Sequence, residues 1–333
     1  MTISPGPPPW PIPPSWTLVP PTRREPEPPV TSRPAAEPPG ASAVPGDPPA
    51  REITVLGADG AGAQDVLDAL PAVPGVTVDA RSVFGTPGFA RVYELVRAAE
   101  RALSEGADGI VILPGAGAME ETAWALELLH TGDAPIVLTA DLDRAGDVAD
   151  AIRVAAAGLK GLGCLLVTHG EIHAARHVSS TGATGTSAFA SPAAGPLGRV
   201  AGETVRLLWR PPERFTVRGP HGGRSPRIGL HTAALGDDGE LLRAVAQHCD
   251  GLVVAAAGSG GLPEAMTPVL AELAARVPVV LASPAVHGGG FPTTTLDPLK
   301  ARVLMHLLLD AGRDRGAVLE AFAAIERGAA TEL

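Results

Sequence analysis

From Ile53 onward, apolar and polar positions follow strand and helix periods in alternation. Ile53-Thr54-Val55-Leu56 reads as a strand running into the turn Gly57-Ala58-Asp59-Gly60-Ala61-Gly62, with a helix over Ala63–Leu70. Val76–Ala80 is the next strand, and the apolar positions of Phe89–Gly106 fall on one face of a long helix. Gly109–Leu113 is an unbroken apolar run of strand length. It is followed by Pro114-Gly115-Ala116-Gly117-Ala118 and then a helical pattern from Met119 in which Trp124, Leu128 and Leu129 share a face. Strands over Pro135–Ala140 and Gly163–Thr168 flank a helix over Gly146–Gly158. This alternation predicts an α/β chain with a mostly parallel sheet covered by helices on both faces.

The pattern then changes twice. Glu171–Gly198 is polar and rich in Ser, Thr and Gly, and reads as extended hairpin or loop. Pro211–Pro226 carries Pro, Gly and Arg without an apolar period, which marks a domain boundary. A smaller α/β unit follows, with strands at Arg227–Thr232, Gly251–Ala256 and Val277–Leu281 and helices at Glu240–Cys249 and Leu262–Arg276. Helices over Asp297–Ala311 and Arg315–Arg327 close the chain. The predicted organisation is a tail over 1–51, a larger domain over 52–208, a linker over 209–226 and a smaller domain over 227–333.

Composition sharpens this picture at the tail. Met1–Arg51 holds 18 of the 35 prolines together with Trp10 and Trp16, and has almost no aliphatic period. Such a segment buries too little surface to fold and is expected to be extended, with polyproline II character. PPPWPIPPSW is a candidate docking motif for an aromatic-lined groove, against the plainer role of a spacer. The remainder of the 333 residues is long enough for two packed domains.

Charge and special residues exclude several function classes. A net charge of -10 sets the protein against nucleic acid and anionic membranes as partners. No apolar run approaches the ~18–20 residues of a membrane span, and Met1-Thr2-Ile3-Ser4-Pro5 lacks the basic and apolar regions of a signal peptide. The expected location is therefore the cytoplasm. Cys164 and Cys249 are too few for a disulfide framework, and Cys164 reads as a buried thiol. His169, His173 and His177 alternate on an extended segment, and no metal or other cofactor is predicted from them. Lys160 and Lys300 are the only lysines, so any chemistry that needs an amine has two candidates.

The stretch Asp108–Thr131 also carries an ancestry signal. Met119-Glu120-Glu121-Thr122 matches the end of the HGTDTMEET signature of the asparaginase/glutaminase family, placed as there between a strand and a helix. Pro135–Thr139 resembles the family's PVVLTGA strand, Glu171–Arg176 and Phe189–Gly198 its central segment, and Asp297–Leu304 its NPQKARVLL helix. The resemblance covers nearly all of Ile53–Phe322. It implies a two-domain asparaginase-like fold, a larger N-terminal and a smaller C-terminal α/β domain, assembled as a homodimer or homotetramer with sites between subunits.

The same resemblance implies acyl transfer by an activated Thr, assisted by a second Thr, an Asp and a Lys. Carried over position by position, the first Thr falls on Ala58, and the Thr-Asp-Thr triplet on Ala116, Gly117 and Ala118. The relay Lys falls near Ala157, the preceding His on Pro114, and the Asn contributed by the second domain on Ser259. The lid with its Tyr is missing, and the only Tyr, Tyr93, lies inside the Phe89–Gly106 helix. None of the replacing side chains at the relay positions gives or takes a proton. The expected function is a non-catalytic binding, scaffold or regulatory protein, with an amidohydrolase of altered substrate or replaced residues as the alternative. The candidate ligand pocket comprises Gly57, Ala58, Asp59, Gly60, Gly115, Ala116, Gly117, Ala118 and Ser259. Backbone N–H groups there suit a small carboxylate or amide.

Overall fold

Five parallel strands build the doubly covered part of the larger sheet, four of them largely buried on both faces and the fifth, Val76–Val83, at the half-exposed edge. They are β1 (Arg51–Ala58), β2 (Val76–Val83), β3 (Gly109–Leu113), β4 (Ile136–Thr139) and β5 (Cys164–Thr168). Between them run α1 (Ala63–Asp68), α2 (Phe89–Ser104), α3 (Met119–Leu129) and α4 (Ala145–Ala156). The computed structural model describes residues 50–58, 63–68, 72–113, 118–139, 145–182, 188–211, 214–256, 261–283 and 290–328. The predicted Pro-rich tail thus lies almost wholly outside the described residues.

β1 to β5 pair in parallel. The polar stretch that follows supplies β6 (Glu171–Ala174), β7 (Ser179–Ser180), β8 (Phe189–Ala190) and β9 (Gly198–Ala201), before β10 (Thr204–Leu207). β6, β9 and β10 extend the large sheet antiparallel, giving the order β10-β9-β6-β5-β4-β3-β1-β2. β7 and β8 pair only with each other. The stretch read as extended hairpin or loop thus gives β6 to the large sheet and forms a separate antiparallel pair from β7 and β8.

One crossover departs from the usual hand. α2 and α3 pack with Leu56, Ile110, Ile112 and Leu138 on one face. α4 packs with Ile53, Val55, Val111 and Val137 on the other, where Val66 and Leu67 of α1 also lie. β3→β4 and β4→β5 step in the same direction, yet their helices cover opposite faces, so the two units have opposite hands. The units through α1, α2 and α3 agree with one another. The β4–α4–β5 unit is therefore left-handed, against the right hand of about 98% of such crossovers.

The smaller sheet contains β11 (Ile228–Thr232), β12 (Gly251–Ala255), β13 (Val279–Ala282) and β14 (Thr293–Thr294), parallel and in that order. α5 (Glu240–Ala246) and α6 (Met266–Ala274) cover one face, and α7 (Pro298–Asp310) and α8 (Arg315–Arg327) the other. α6 begins later than the predicted Leu262, because an earlier start would put Pro268 in the helix interior. α7 starts where the Asp297 side chain accepts from Leu299 N, with Pro298 in the first turn.

The two sheets share one continuous core. Trp124 and Leu128 of α3 belong to the same buried cluster as Ala301, Leu304 and Leu308 of α7 and Phe322 of α8. Trp124 Nε1 donates to the carbonyl of Lys300 at 3.1 Å. The stretch predicted as a linker is packed as well: Phe215 and Val217 are buried, and Val217 N donates to Leu128 O at 2.7 Å.

Candidate functional site

The carboxyl edge of the parallel strands is where ligands bind in doubly wound sheets, at the point where successive crossovers leave in opposite directions. That point lies at the end of β1, which is flanked by β2 on one side and β3 on the other. Gly57 pairs with Ser82 and Leu113, and Ala58 closes the strand beside Val83. The Ala58 side chain is buried in the face covered by α2 and α3. It fills core space and offers no polar group.

α3 opens at the same edge. Its N-cap is Ala118, in the left-handed region at φ 48°, ψ 32°, with no side-chain cap. Ser, Thr, Asp or Asn normally caps such an end by accepting from a first-turn N–H. An L-residue with a Cβ is strained in this conformation by ~1–2 kcal/mol. Of the predicted pocket residues, Gly57, Ala58 and Ala118 come to one edge. Pro114, Asp59, Gly60, Gly115, Ala116, Gly117 and Ser259 lie outside the described residues.

Ala157 belongs elsewhere. α4 starts at the carboxyl edge, where Asp147 accepts from His169 N at 3.1 Å, and runs back under the sheet. Its last turn reaches the amino end of β3, where a Cβ on Gly109 would meet Ala155 O at 2.8 Å. Ala157, just beyond, sits on the opposite edge from Ala58, so the position assigned to a relay amine is not at the candidate site. A helix joining two parallel strands has to return to the amino edge, so the strand and helix order already places Ala157 away from Ala58. The segment that does reach α3 is β7: Ser180 N donates to Glu120 Oε2 at 2.6 Å. Serine and glutamate spaced so far along the chain carried no sequence signal for this contact.

Neither lysine supplies a free amine at this edge. Lys160 is exposed in the loop before β5, at the amino edge, where its carbonyl accepts from Arg210 Nη1. Lys300 is buried, and its Nζ donates to the carbonyls of Arg176, at 3.0 Å, and Val178. Burial holds its pKa down to about 8, opposed by Asp297 and Glu120.

Glu120 and Glu121 are occupied structurally. Glu121 Oε1 faces Arg302 Nη1 of α7 at 3.5 Å, and burial raises its carboxyl pKa despite that cation. The three histidines of the central segment do not converge. His169 sits in the β5–β6 turn at φ 51°, with Nδ1 at 2.8 Å from Thr168 Oγ1. His173 is buried against Ser191 Oγ at 3.0 Å, and His177 lies edge-on to Trp209. Among the described residues, no three His, Cys, Asp or Glu side chains are grouped to hold a metal ion. Cys164 is buried as read from the sequence, and burial pushes its thiol pKa well up. Among the described residues, no helix is long and apolar enough to cross a membrane.

Comparison with known proteins agrees with this architecture. Residues 65–213 match the family described as "Asparaginase, N-terminal", and residues 227–322 the "Glutaminase/Asparaginase C-terminal domain". The first match begins past β1. A "Probable L-asparaginase" of Deinococcus radiodurans is 32% identical over 289 residues, covering 76% of this chain and 88% of that protein. "L-asparaginase 2" of Escherichia coli K12 is 28% identical, over 65% of this chain and 70% of that one. The crystal structure of a probable cytoplasmic L-asparaginase from Campylobacter jejuni superposes with a TM-score of 0.72 at 22% identity, over 82% of this chain and 99% of that one.

Proposed function

Since the chain belongs to the asparaginase/glutaminase family, we propose that it is a non-catalytic member: a binding, scaffold or regulatory protein on an asparaginase fold. The observation that carries this reading is the pair of alanines at the carboxyl edge, Ala58 closing β1 and Ala118 capping α3. Acyl transfer needs a nucleophile within reach of a base, and neither alanine can serve as one. The sequence extends the reading to Ala116 and Gly117, the other two positions where the family carries Thr and Asp. The commitment of Lys300 to two carbonyls supports it further.

Magnitudes favour this reading over residual hydrolysis. Loss of one member of a cooperating catalytic set costs about 10⁴–10⁶ in rate, and further losses add little. What survives is the anion-favouring N-terminus of α3, suited to a small carboxylate or amide. The protein self-associates as a homodimer or homotetramer, works in the cytoplasm, and uses its Pro-rich tail as a handle for a further partner. Its domain limits are 52–208 and 227–333, joined through 209–226.

Ammonia release from asparagine and glutamine tests the reading. The expected result is no release above a boiled control, and none after Ala58→Thr alone, because Ala116 and Gly117 remain. Robust turnover by the unaltered chain overturns it. A second reading, an amidohydrolase with replaced residues, draws on the polar cluster at the same edge. There Thr168 Oγ1 lies near both His169 Nδ1 and Asp147 Oδ2, at 2.8 and 3.4 Å. Turnover of other amides that is lost in Thr168→Val would favour that reading.

A further inference from the structure

A cavity of about 140 Å³ opens at the amino edge of the large sheet, on the other side of the molecule's strands from the candidate site. It lies where α3, the start of β5, the turn after β6 and the chain around Arg214 meet. Trp124 and Phe215 supply aromatic walls, and Leu162 and Ala174 supply aliphatic ones. Glu127 and Arg214 also reach it but satisfy each other. Glu127 Oε1 accepts from Arg214 Nε at 3.0 Å, and its Oε2 accepts from Cys164 N.

Arg176 has no such match. Its guanidinium stacks over the Phe215 ring, 5.1 Å from the centroid. Among the described residues, no carboxylate lies within ion-pair distance of it. Burial draws its pKa below the ordinary arginine value, and Glu326 of α8 opposes this only through space. His177, on the same wall, is no competing cation at neutral pH: burial, with Arg176 and Lys300 nearby, holds its pKa down to about 4. The cavity thus combines apolar walls with one uncompensated positive group.

Size and charge together define the occupant. An apolar cavity of ~150 Å³ accommodates one benzene-sized molecule. Aromatic walls favour a flat ring by offset or edge contacts. A half-buried guanidinium favours a carboxylate, which can take two parallel N–H donors. We propose that this cavity binds a small organic monocarboxylate of about the size of benzoate, its ring against Trp124 and Phe215 and its carboxylate on Arg176. The site is separate from the carboxyl edge and does not depend on whether the protein is catalytic. Because Phe215 lies in the stretch joining the two sheets and Gly328 follows α8, an occupant would also brace that junction.

Titration of the full chain with sodium benzoate, benzyl alcohol and acetate, followed by calorimetry, tests the proposal. One saturable benzoate site is expected in the micromolar to low-millimolar range. Benzyl alcohol should bind at least about tenfold more weakly for want of a charge-assisted bond, and acetate more weakly for want of a ring. Arg176→Gln should cost benzoate about tenfold and leave benzyl alcohol unchanged. Leu162→Phe, which fills the cavity without touching Arg176, should abolish binding of both. If Arg176→Gln fails to fold by circular dichroism, the ligand comparison on the unaltered chain and the Leu162→Phe variant still decide. The proposal is overturned by no saturation, by equal binding of benzoate and benzyl alcohol, by undiminished benzoate binding in Arg176→Gln, or by full benzoate binding in Leu162→Phe.

Discussion

Asp310→Ala probes how firmly the two sheets are joined. The Asp310 side chain is fully buried at the end of α7. Its Oδ2 accepts from Tyr93 Oη of α2 at 2.6 Å and from Gly222 N at 2.7 Å, and its Oδ1 accepts from Arg224 N at 3.1 Å. One carboxylate thus ties the larger domain, the connecting stretch and the smaller domain together. Truncation strands one hydroxyl and two backbone N–H groups, each costing ~1–3 kcal/mol. The sum is taken as ~4 kcal/mol, within the 3–5 typical of breaking a buried charged network. Unfolding about 280 residues carries an entropy of roughly 0.6 kcal/mol per degree, so Tm should fall by about 6–7 °C. Tyr93→Phe removes a single bond and should cost about 2–3 °C on the same arithmetic.

The acid limb of the same melt supplies an independent check. Burial works to raise the Asp310 pKa, but the Tyr93 hydroxyl and the Gly222 and Arg224 amides outweigh it, so the folded value lies below the ordinary one. A carboxyl depressed on folding contributes stability above its unfolded pKa of ~3.9 and loses it as pH falls through the folded value. The Tm gap between wild type and Asp310→Ala should therefore be full at pH 7 and shrink below about pH 4. Scanning calorimetry from pH 7 to pH 3 measures both. A Tm within about 1 °C of wild type, or a gap indifferent to acid, would refute the reasoning.

Lys300 should produce a pH trend of the same sign in an alkaline window. Its folded pKa of about 8 lies below the unfolded value of ~10.4, so between them the unfolded chain holds a proton that the folded one has released, and stability rises with pH. The wild type should gain on the order of 3 kcal/mol relative to Lys300→Met over that window, and a constant difference in urea midpoints from pH 7.5 to 10.5 would count against it. Light scattering behind size-exclusion chromatography should give two or four times 33.7 kDa; a clean monomer would remove the self-association part of the proposed function.

Legibility in the sequence followed the strength of local pattern. The unbroken apolar runs at Gly109–Leu113 and Gly163–Thr168 gave strands within a residue of those observed. Asp297 before Pro298 marked the start of α7. The stretch from Glu171 to Gly198 was ambiguous because its strands are only two to four residues long, too short for alternation to show. Phe215 and Val217 were read as linker because Arg, Pro and Gly surround them, and burial of two isolated apolar residues leaves no period to detect. The left hand of the α4 crossover has no signature in residue order, whereas the edge at which Ala157 lies does, because a helix between parallel strands returns to the amino edge. Ala157 came to the site only through the family resemblance, against the order of strand and helix that the apolar pattern itself gives.

What holds this fold together stands apart from the edge where chemistry would occur, and that separation makes loss of one without the other physically reasonable. Glu127, Arg214 and Cys164 lock α3 to the start of β5 at the amino edge. Tyr93 and Asp310 lock α2 to α7, while Trp124 and Lys300 lock α3 to α7 and to the turn after β6. None of these bonds passes through Ala58 or Ala118. Replacing a polar side chain by alanine at either position would strand no partner in those networks, so the stability threshold places little constraint on them. At Ala58 the small apolar side chain lies wholly in the core, where an unpaired hydroxyl would carry a desolvation cost of ~1–3 kcal/mol. At Ala118 the αL strain is the reverse case: a local cost retained with no capping bond to offset it. Glycine there would relieve the strain, and asparagine would tolerate the same backbone with a polar side chain. The fold therefore has room at this edge to recover polar groups, and its present alanines are not dictated by packing at position 118.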